Sequence, residues 1–410
     1  MRKLLPIVSL AALLTGMTPI HSVAAETGRV EIVWNGTSLT MEHAPLVREG
    51  RVYMPLRELS GLIDGAAVWD AKTKTVTVQT ADRLVTMKLG STLATVNGKR
   101  VALDAAPVVK QGVTYVPLRF VTAALDMDIS WNAKQKSVGV NHNDRFIMAK
   151  DGRQYMWIEP ATGNIYAAKQ GTPSVLVGQA KETPDPEGLN PAALVSLGGD
   201  NWLFTVKDII KIAFMETDYQ YLISNGKLTA SAKAEFVGGT PVRHKPVFDG
   251  QAILSDGSDI LFANPDGTEA SRMALGEITG LKGESQTEEA FSVEEAFEDI
   301  LLVRAHPHGT LWLVDRATEK AVPLYRELLP EDQQAIVDGY DKMDANYGGD
   351  GLQFVSREGD KLTFRHTEFS RIRKKRTRWS NPTIPPPQPM DSFELAAVGL
   401  GSGGMDNALG

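Results

Sequence analysis

The chain has 410 residues, 42% of them hydrophobic, and a formal charge of -7. That length allows roughly two to three domains with sizeable cores, and the acidic balance argues against a strongly basic nucleic-acid-binding domain. It contains no cysteine, which excludes disulfides, thiolate chemistry, Cys-ligated zinc, iron–sulfur clusters and a lipid-bearing cysteine anchor.

Residues 1–25 read as a signal peptide. Arg2 and Lys3 supply a basic start, Leu4 to Leu14 an apolar run, and Val23-Ala24-Ala25 small residues at a cleavage point, so the mature chain is expected to begin near Glu26. No later stretch reaches the length of about 18 apolar residues that a membrane-crossing helix needs.

The next feature is an internal repeat with a period of 62 residues, over about 32–78 and 94–140. Asn35-Gly36 recurs as Asn97-Gly98, Pro45 as Pro107, Gly50 as Gly112, and Tyr53 as Tyr115. Pro55, Arg57 and Trp69 recur as Pro117, Arg119 and Trp131. Across the ungapped overlap 17 of 44 positions are identical, so one unit was duplicated.

Each unit parses in the same way. A short strand through Val33 ends at the Asn-Gly turn, which favours a hairpin with φ > 0. A second strand passes through Leu39 and Met41, and two more flank Gly50. Pro55 opens a helix over roughly Leu56 to Ile63 that Gly65 ends; Trp69 then starts a strand pair with Val76 and Val78 on one face. Residues 26–142 are therefore expected to form an α+β domain of two ββαβ-like units with an antiparallel sheet.

From 150 to 370 strand–turn–strand patterns replace helical periodicity. Hairpins are expected at Thr162-Gly163-Asn164, Asn225-Gly226, Asp256-Gly257, His308-Gly309 and Gly359-Asp360. They recur about every 45–55 residues, which suits the four-stranded blades of a propeller-like, mainly-β domain, with a sandwich or open array as alternatives. Two connectors look helical: Ser292 to Phe297, from a capping-box pattern, and the segment opening at Pro330-Glu331-Asp332. Residues 371–410 combine a basic run, Arg371 to Arg378, with Pro-rich and Gly-rich stretches, and read as a disordered tail.

The repeat residues Gly50-Arg51-Val52-Tyr53-Met54-Pro55-Leu56-Arg57, with Val68-Trp69-Asp70 and their second-copy equivalents up to Trp131-Asn132, resemble the copper amine oxidase-like N-terminal (stalk) domain. The second copy departs from that family's pattern at Leu125-Asp126 and Trp131-Asn132. The resemblance implies a secreted or wall-associated protein of Gram-positive-type bacteria, and no oxidase activity or copper for this domain.

Chemical constellations are sparse. His306 and His308 form a His-x-His pair that can chelate a metal, and His366 or His244 could be a third ligand. Pro307 between them suggests an exposed turn tip instead, so they are weak candidates. Asn346-Tyr347-Gly348 lacks the acid that a quinone-forming tyrosine would need after it, and Asp344 to Asp350 is an incomplete calcium-type loop. Hydrolase elbows, zinc-protease helices, P-loops and dinucleotide fingerprints are missing. Arg57 and Arg119 read as helix-start residues paired with an acid such as Asp70, and Trp69 and Trp131 as core, with sugar stacking as the alternative. Neither catalytic residues nor cofactors are assigned. The expectation is a non-catalytic envelope or cell-wall binding or scaffold protein, partnered by a wall glycan or another envelope protein; the alternative is a secreted enzyme with its site on the loops of the β-rich domain.

Overall fold

The computed structural model describes residues 30–188, 190–210, 215–281, 289–339 and 348–367, with the backbone of 393–399. The leader, the Asp344 to Tyr347 part of the calcium-type loop and the basic and proline-rich tail lie outside the described residues. What is described is mostly β.

The repeat region contains β1 (Glu31–Trp34), β2 (Thr37–Ser38), β3 (Leu46–Arg48), β4 (Arg51–Pro55), α1 (Leu56–Ser60), β5 (Ala66–Asp70), β6 (Thr75–Gln79), β7 (Leu84–Lys88), β8 (Leu93–Val96), β9 (Lys99–Ala102), β10 (Val108–Lys110), β11 (Val113–Pro117), α2 (Leu118–Ala124), β12 (Asp128–Asn132) and β13 (Ser137–Asn141). Asn35-Gly36 and Asn97-Gly98 both take positive φ, as a tight hairpin of this kind requires. Each helix starts just after its proline, and α1 stops at Ser60 with Gly61 as cap, short of the expected end at Gly65.

The two units do not fold side by side. They interleave. The central sheet, in the order β10-β11-β4-β3, pairs β4 with β11 antiparallel, and Met54 faces Val116. Those two positions are equivalent under the 62-residue offset, so a local two-fold relates the copies and passes between them. The outer sheets are equivalent too. One runs β12-β13-β1-β2 and the other β5-β6-β7-β8-β9, where β7 is an extra strand between the counterparts of β13 and β1. Each outer sheet thus takes strands from both copies. The insertion also explains why β1 pairs parallel with β13, contrary to the expected antiparallel sheet: β6 and β8 keep the same mutual direction, but through two antiparallel steps. The β2 strand is only two residues long, and Leu39 and Met41 lie beyond it. The core beneath these sheets holds Ile32, Met54, Leu59, Val76, Met87, Val116, Leu118 and Val140.

Four meanders follow: β14 (Ile147–Asp151), β15 (Gln154–Glu159), β16 (Asn164–Lys169) and β17 (Val175–Gln179); β18 (Ala192–Gly198), β19 (Asn201–Ile210), β20 (Met215–Ser224) and β21 (Lys227–Val237); β22 (Val247–Phe248), β23 (Gln251–Ser255), β24 (Asp259–Ala263) and β25 (Glu269–Ala274), then α3 (Leu275–Ile278); and β26 (Ala290–Ala296), β27 (Ile300–His306), β28 (Thr310–Asp315) and β29 (Ala321–Pro323). After α4 (Leu324–Leu328) and α5 (Glu331–Gly339) come β30 (Leu352–Glu358), β31 (Lys361–His366) and β32 (Phe393–Gly399), paired in that order. Every expected hairpin joins two strands, and α5 begins where Glu331-Asp332 predicts it. The Ser292 to Phe297 segment does not form a helix: all but Phe297 lies in β26, where Ser292 and Val293 are fully buried and pair with β27. Among the described residues no helix is long and apolar enough to cross a membrane.

The repeat region is bonded to the first meander. Trp157 Nε1 donates to the Asp64 carbonyl at 2.9 Å, Asp64 Oδ2 accepts from the Phe146 N–H at 3.1 Å, and the Gln79 side chain joins Gly171 and Thr172. Gly65 sits beside this junction. A Cβ there would fall 2.3 Å from the Gln79 carbonyl oxygen and 2.9 Å from Thr80 Cγ2. Gly65→Ala is therefore expected to cost about 1–3 kcal/mol by overpacking. Equilibrium urea unfolding should show a lower midpoint at constant slope; an unchanged midpoint would contradict the close approach.

Candidate functional site

The arginine, tryptophan and turn glycine kept in both copies line two grooves related by the local two-fold. In the first, of about 600 Å³, Arg57, Trp69, Ala67 and Glu42 of the first copy face Gly112, Val113 and Thr114 of the second. In the second, of about 370 Å³, Arg119, Trp131, Ile129 and Asp104 of the second copy face Gly50, Arg51 and Val52 of the first. All seven positions correspond under the 62-residue offset. The fold dictates this composition. The proline before each helix places the arginine on its first turn, the tryptophan lies on the edge strand of an outer sheet (β5 or β12), and the glycine hairpin of the opposite copy closes the far side.

Neither arginine pairs with Asp70; Arg57 meets Glu42 in its place. Asp70 instead accepts the backbone N–H groups of Lys72 and Thr73, and these bonds hold its carboxyl below the usual range. The Arg57 side chain is 80% exposed, and its Nη1 lies 3.9 Å from Glu42 Oε2. No described residue hydrogen-bonds or ion-pairs with the Arg119 guanidinium. Arg51 Nε lies 3.7 Å from Asp104 Oδ2 across the second groove. The tryptophans divide: Trp69 is half-buried against the core, while Trp131 is 56% exposed and borders the exposed Ile129. The expectation that both are core residues thus fails for Trp131.

The remaining signature residues build the scaffold. Tyr53 and Tyr115 are buried together with Ala105. Pro55 and Pro117 pair across β4 and β11 with Tyr115 and Tyr53. Asn35 clamps the backbone of His142 in both directions, at 2.9 and 2.8 Å, and Asn97 does the same for Leu84 and Asp82. Pro45 and Pro107 precede β3 and β10, and Gly36, Gly50, Gly98 and Gly112 supply positive φ in the turns.

His306 and His308 are not an exposed turn pair. His306 ends β27, is almost fully buried, and its Nε2 lies 3.0 Å from Ser292 Oγ with its ring against Phe236. Burial, helped by the Arg304 charge, lowers its pKa to about 3. His308 Nδ1 lies 2.8 Å from Glu289 Oε2, on a separate partner. His244 lies elsewhere, partly buried: it accepts the Val293 N–H at Nδ1, which fixes a neutral ring that donates from Nε2 to the Ile253 carbonyl at 3.1 Å. Among the described residues, three-ligand groups occur only at Glu42–His43–Glu58 and Asp64–His142–Asp144. In the first, Glu58 already accepts two backbone N–H groups. In the second, burial opposes charge on His142, but hydrogen bonds to Asp144 and Asp64 prevail and raise it to about 9. An imidazolium between two carboxylates accounts for that cluster without an ion.

Sequence reasoning singled out the arginines and tryptophans but missed Glu42, Arg51, Asp104 and Ile129, which share their grooves. The offset that pairs Glu42 with Asp104 was a usable signal; the strand exchange that brings Arg51 to the second copy's groove had none.

These features define a duplicated, strand-exchanged module joined to a run of four-stranded antiparallel sheets. Residues 33–140 match the sequence family described as Copper amine oxidase N-terminal domain. No curated protein matches the chain. Among solved structures it is similar to the nidogen/laminin complex, with 13% identity over 71% of this chain and 86% of that one, at a TM-score of 0.23. It is also similar to apo AztD from Citrobacter koseri, with 13% identity over 70% and 72% at 0.23, and to the AfRom2 CNH domain, with 8% over 74% and 90% at 0.18.

Proposed function

We propose that the protein is a secreted, non-catalytic binding or scaffold protein of the cell envelope, in which the repeat module holds a wall component and the β-rich region serves as the presented body. The observation that carries this reading is the pair of equivalent open grooves. They keep a solvent-facing cation in both copies and an indole that lines the groove, half-buried at Trp69 and exposed at Trp131. Such exposed, repeated side chains suit recognition more than architecture. The signal-like leader supports export. In the same reading the successive meanders close as blades of a propeller-like body; contacts of β14 with β18, and of β21 with β23 and β26, support that arrangement.

The test is fractionation of the native host, followed by sedimentation of the purified chain with isolated cell wall. Recovery in the envelope or medium with the leader removed, and co-sedimentation with wall, are expected. Recovery from the cytosol alone, with an intact N-terminus, would refute export.

One observation favours the enzyme reading. On β20, burial pushes Asp218 up to about 7 despite the attraction of Lys207, whose Nζ lies 3.5 Å away. Lys207 also pairs with Glu216, which lines a cleft of about 270 Å³. A buried acid titrating near neutrality can serve as a general acid. Turnover of wall polymer that disappears in Asp218→Asn would favour this reading over the binding one.

A further inference from the structure

We propose that the two grooves are saccharide subsites for an acidic polysaccharide, each taking a pyranose ring that carries a carboxylate; this rests on the binding reading above. Both groove volumes, about 600 and 370 Å³, fall within the roughly 300–1,000 Å³ span of ordinary ligand sites. Each offers three complementary functions. The indole of Trp69 or Trp131 presents a flat apolar face to the C–H face of a sugar ring while its edge stays wet. The guanidinium of Arg57 or Arg119 offers a planar fork that matches a carboxylate in bidentate fashion. The carboxylate of Glu42 or Asp104 accepts hydrogen bonds from ring hydroxyls.

The preference for an acidic sugar follows from the charge balance. In the second groove Arg51 and Arg119 face the single acid Asp104, and Arg51 stands opposite that acid at 3.7 Å, so Arg119 is left for a ligand anion. In the first groove the Arg57–Glu42 contact is 3.9 Å long between side chains 80% and 69% exposed. A pair that exposed contributes little, so an incoming carboxylate can displace Glu42 at small cost. The second groove, with the more exposed indole and the surplus cation, is the stronger subsite. The two-fold presents the grooves in opposite senses, so they engage two chains or two stretches of one chain, which suits a wall-bridging role. Two engaged subsites raise avidity on a polymer without new contacts.

The purified full chain is titrated calorimetrically with hexameric oligogalacturonate, with a glycan strand bearing lactyl carboxylates, and with neutral cellohexaose. At least one acidic ligand is expected to bind at two sites per chain and at least ten-fold tighter than the neutral one. Arg119→Met should lower the affinity of the second subsite for that ligand at least ten-fold and leave the neutral ligand unchanged. Trp131→Ala should weaken both. Neither side chain packs the core, so urea midpoints should stay native. Trp69 is half-buried and is replaced by Phe, which should weaken the first subsite alone. Equal affinity for the neutral hexamer, failure of every acidic ligand to bind, or native affinity in Arg57→Met/Arg119→Met overturns the proposal. So does a Trp131→Ala chain that loses self-association in sedimentation but keeps its saccharide titration, since β12 would then be an edge for another chain. Native retention of the double arginine variant on isolated wall sinks these subsites and leaves the envelope reading standing; no retention of the native chain removes both.

Discussion

Arg304→Met is expected to destabilise the protein by about 3–5 kcal/mol. Arg304 lies on β27, almost wholly buried. Burial opposes its charge, but Asp350 and Glu294 overcome that opposition and keep it protonated. Its Nε bonds Glu294, its Nη1 reaches Asp350 at 3.0 Å and the Gly309 carbonyl at 2.7 Å, and its Nη2 donates to the Leu352 carbonyl at 2.8 Å. Asp350, fully buried, also accepts the N–H groups of Leu311 and Leu352. One side chain thus ties β27 to the segment that starts β30. Methionine fills the space of the stem but leaves the buried carboxylates of Glu294 and Asp350 without their counter-charge, and uncompensated buried charge is the costly outcome. In a cycle with Glu294→Gln the double variant should lose less than the sum of the singles, because removing Glu294 relieves part of the orphaned charge. Amide exchange should quicken first in β30 and β31. A urea-derived loss below about 1 kcal/mol would show that the network is not what joins these sheets.

How far the sequence foretold the architecture depends on the range of the interaction. Local signals held. Asn35-Gly36, Asn97-Gly98 and Asn225-Gly226 turned as hairpins because positive φ is a property of those residues themselves. The failures lie where distant partners decide. Ser292 and Glu295 carry a helix-capping pattern, yet β27 offers a ladder interrupted only by an irregularity between Val293 and Glu295, and His306 offers the serine a partner, so pairing outweighs propensity. The β1–β13 pairing joins residues more than a hundred positions apart, and the repeat alone cannot distinguish paired units from units that exchange strands. The site was half legible for the same reason: an offset reveals which residues recur, but the hairpin that completes each groove comes from the other copy.

Stability is expected to fall on both sides of neutrality through separate histidines. His142 has a folded pKa near 9 against an ordinary 6.5, so the folded state favours its charged form. Its contribution is complete below pH 6.5 and is lost as pH rises towards 9. With solvent screening at this half-open site that amounts to about 1–2 kcal/mol. His306 and His244 run the other way. Their folded values near 3 and 4 mean that folding holds them neutral. Their contribution is present above pH 6.5 and is lost as pH falls from 6.5 through 4 and 3, by about 3–5 kcal/mol for the fully buried His306 and by less for the partly buried His244. Asp218, raised to about 7 from 3.8, adds an opposing drift, because its burial stabilises the protein most below pH 3.8 and progressively less up to 7. Whole-protein curves mix these terms, so the measurement is the difference between native and variant urea stabilities across pH. For His142→Gln the difference should be flat below pH 6.5 and shrink towards pH 9. For His306→Gln, whose amide can still bond Ser292, the native advantage should vanish in acid. A His142 difference that instead grew with pH would mean that Asp64 and Asp144 hold a neutral ring, and the clamp at the end of the repeat module would have to be rebuilt around hydrogen bonds alone.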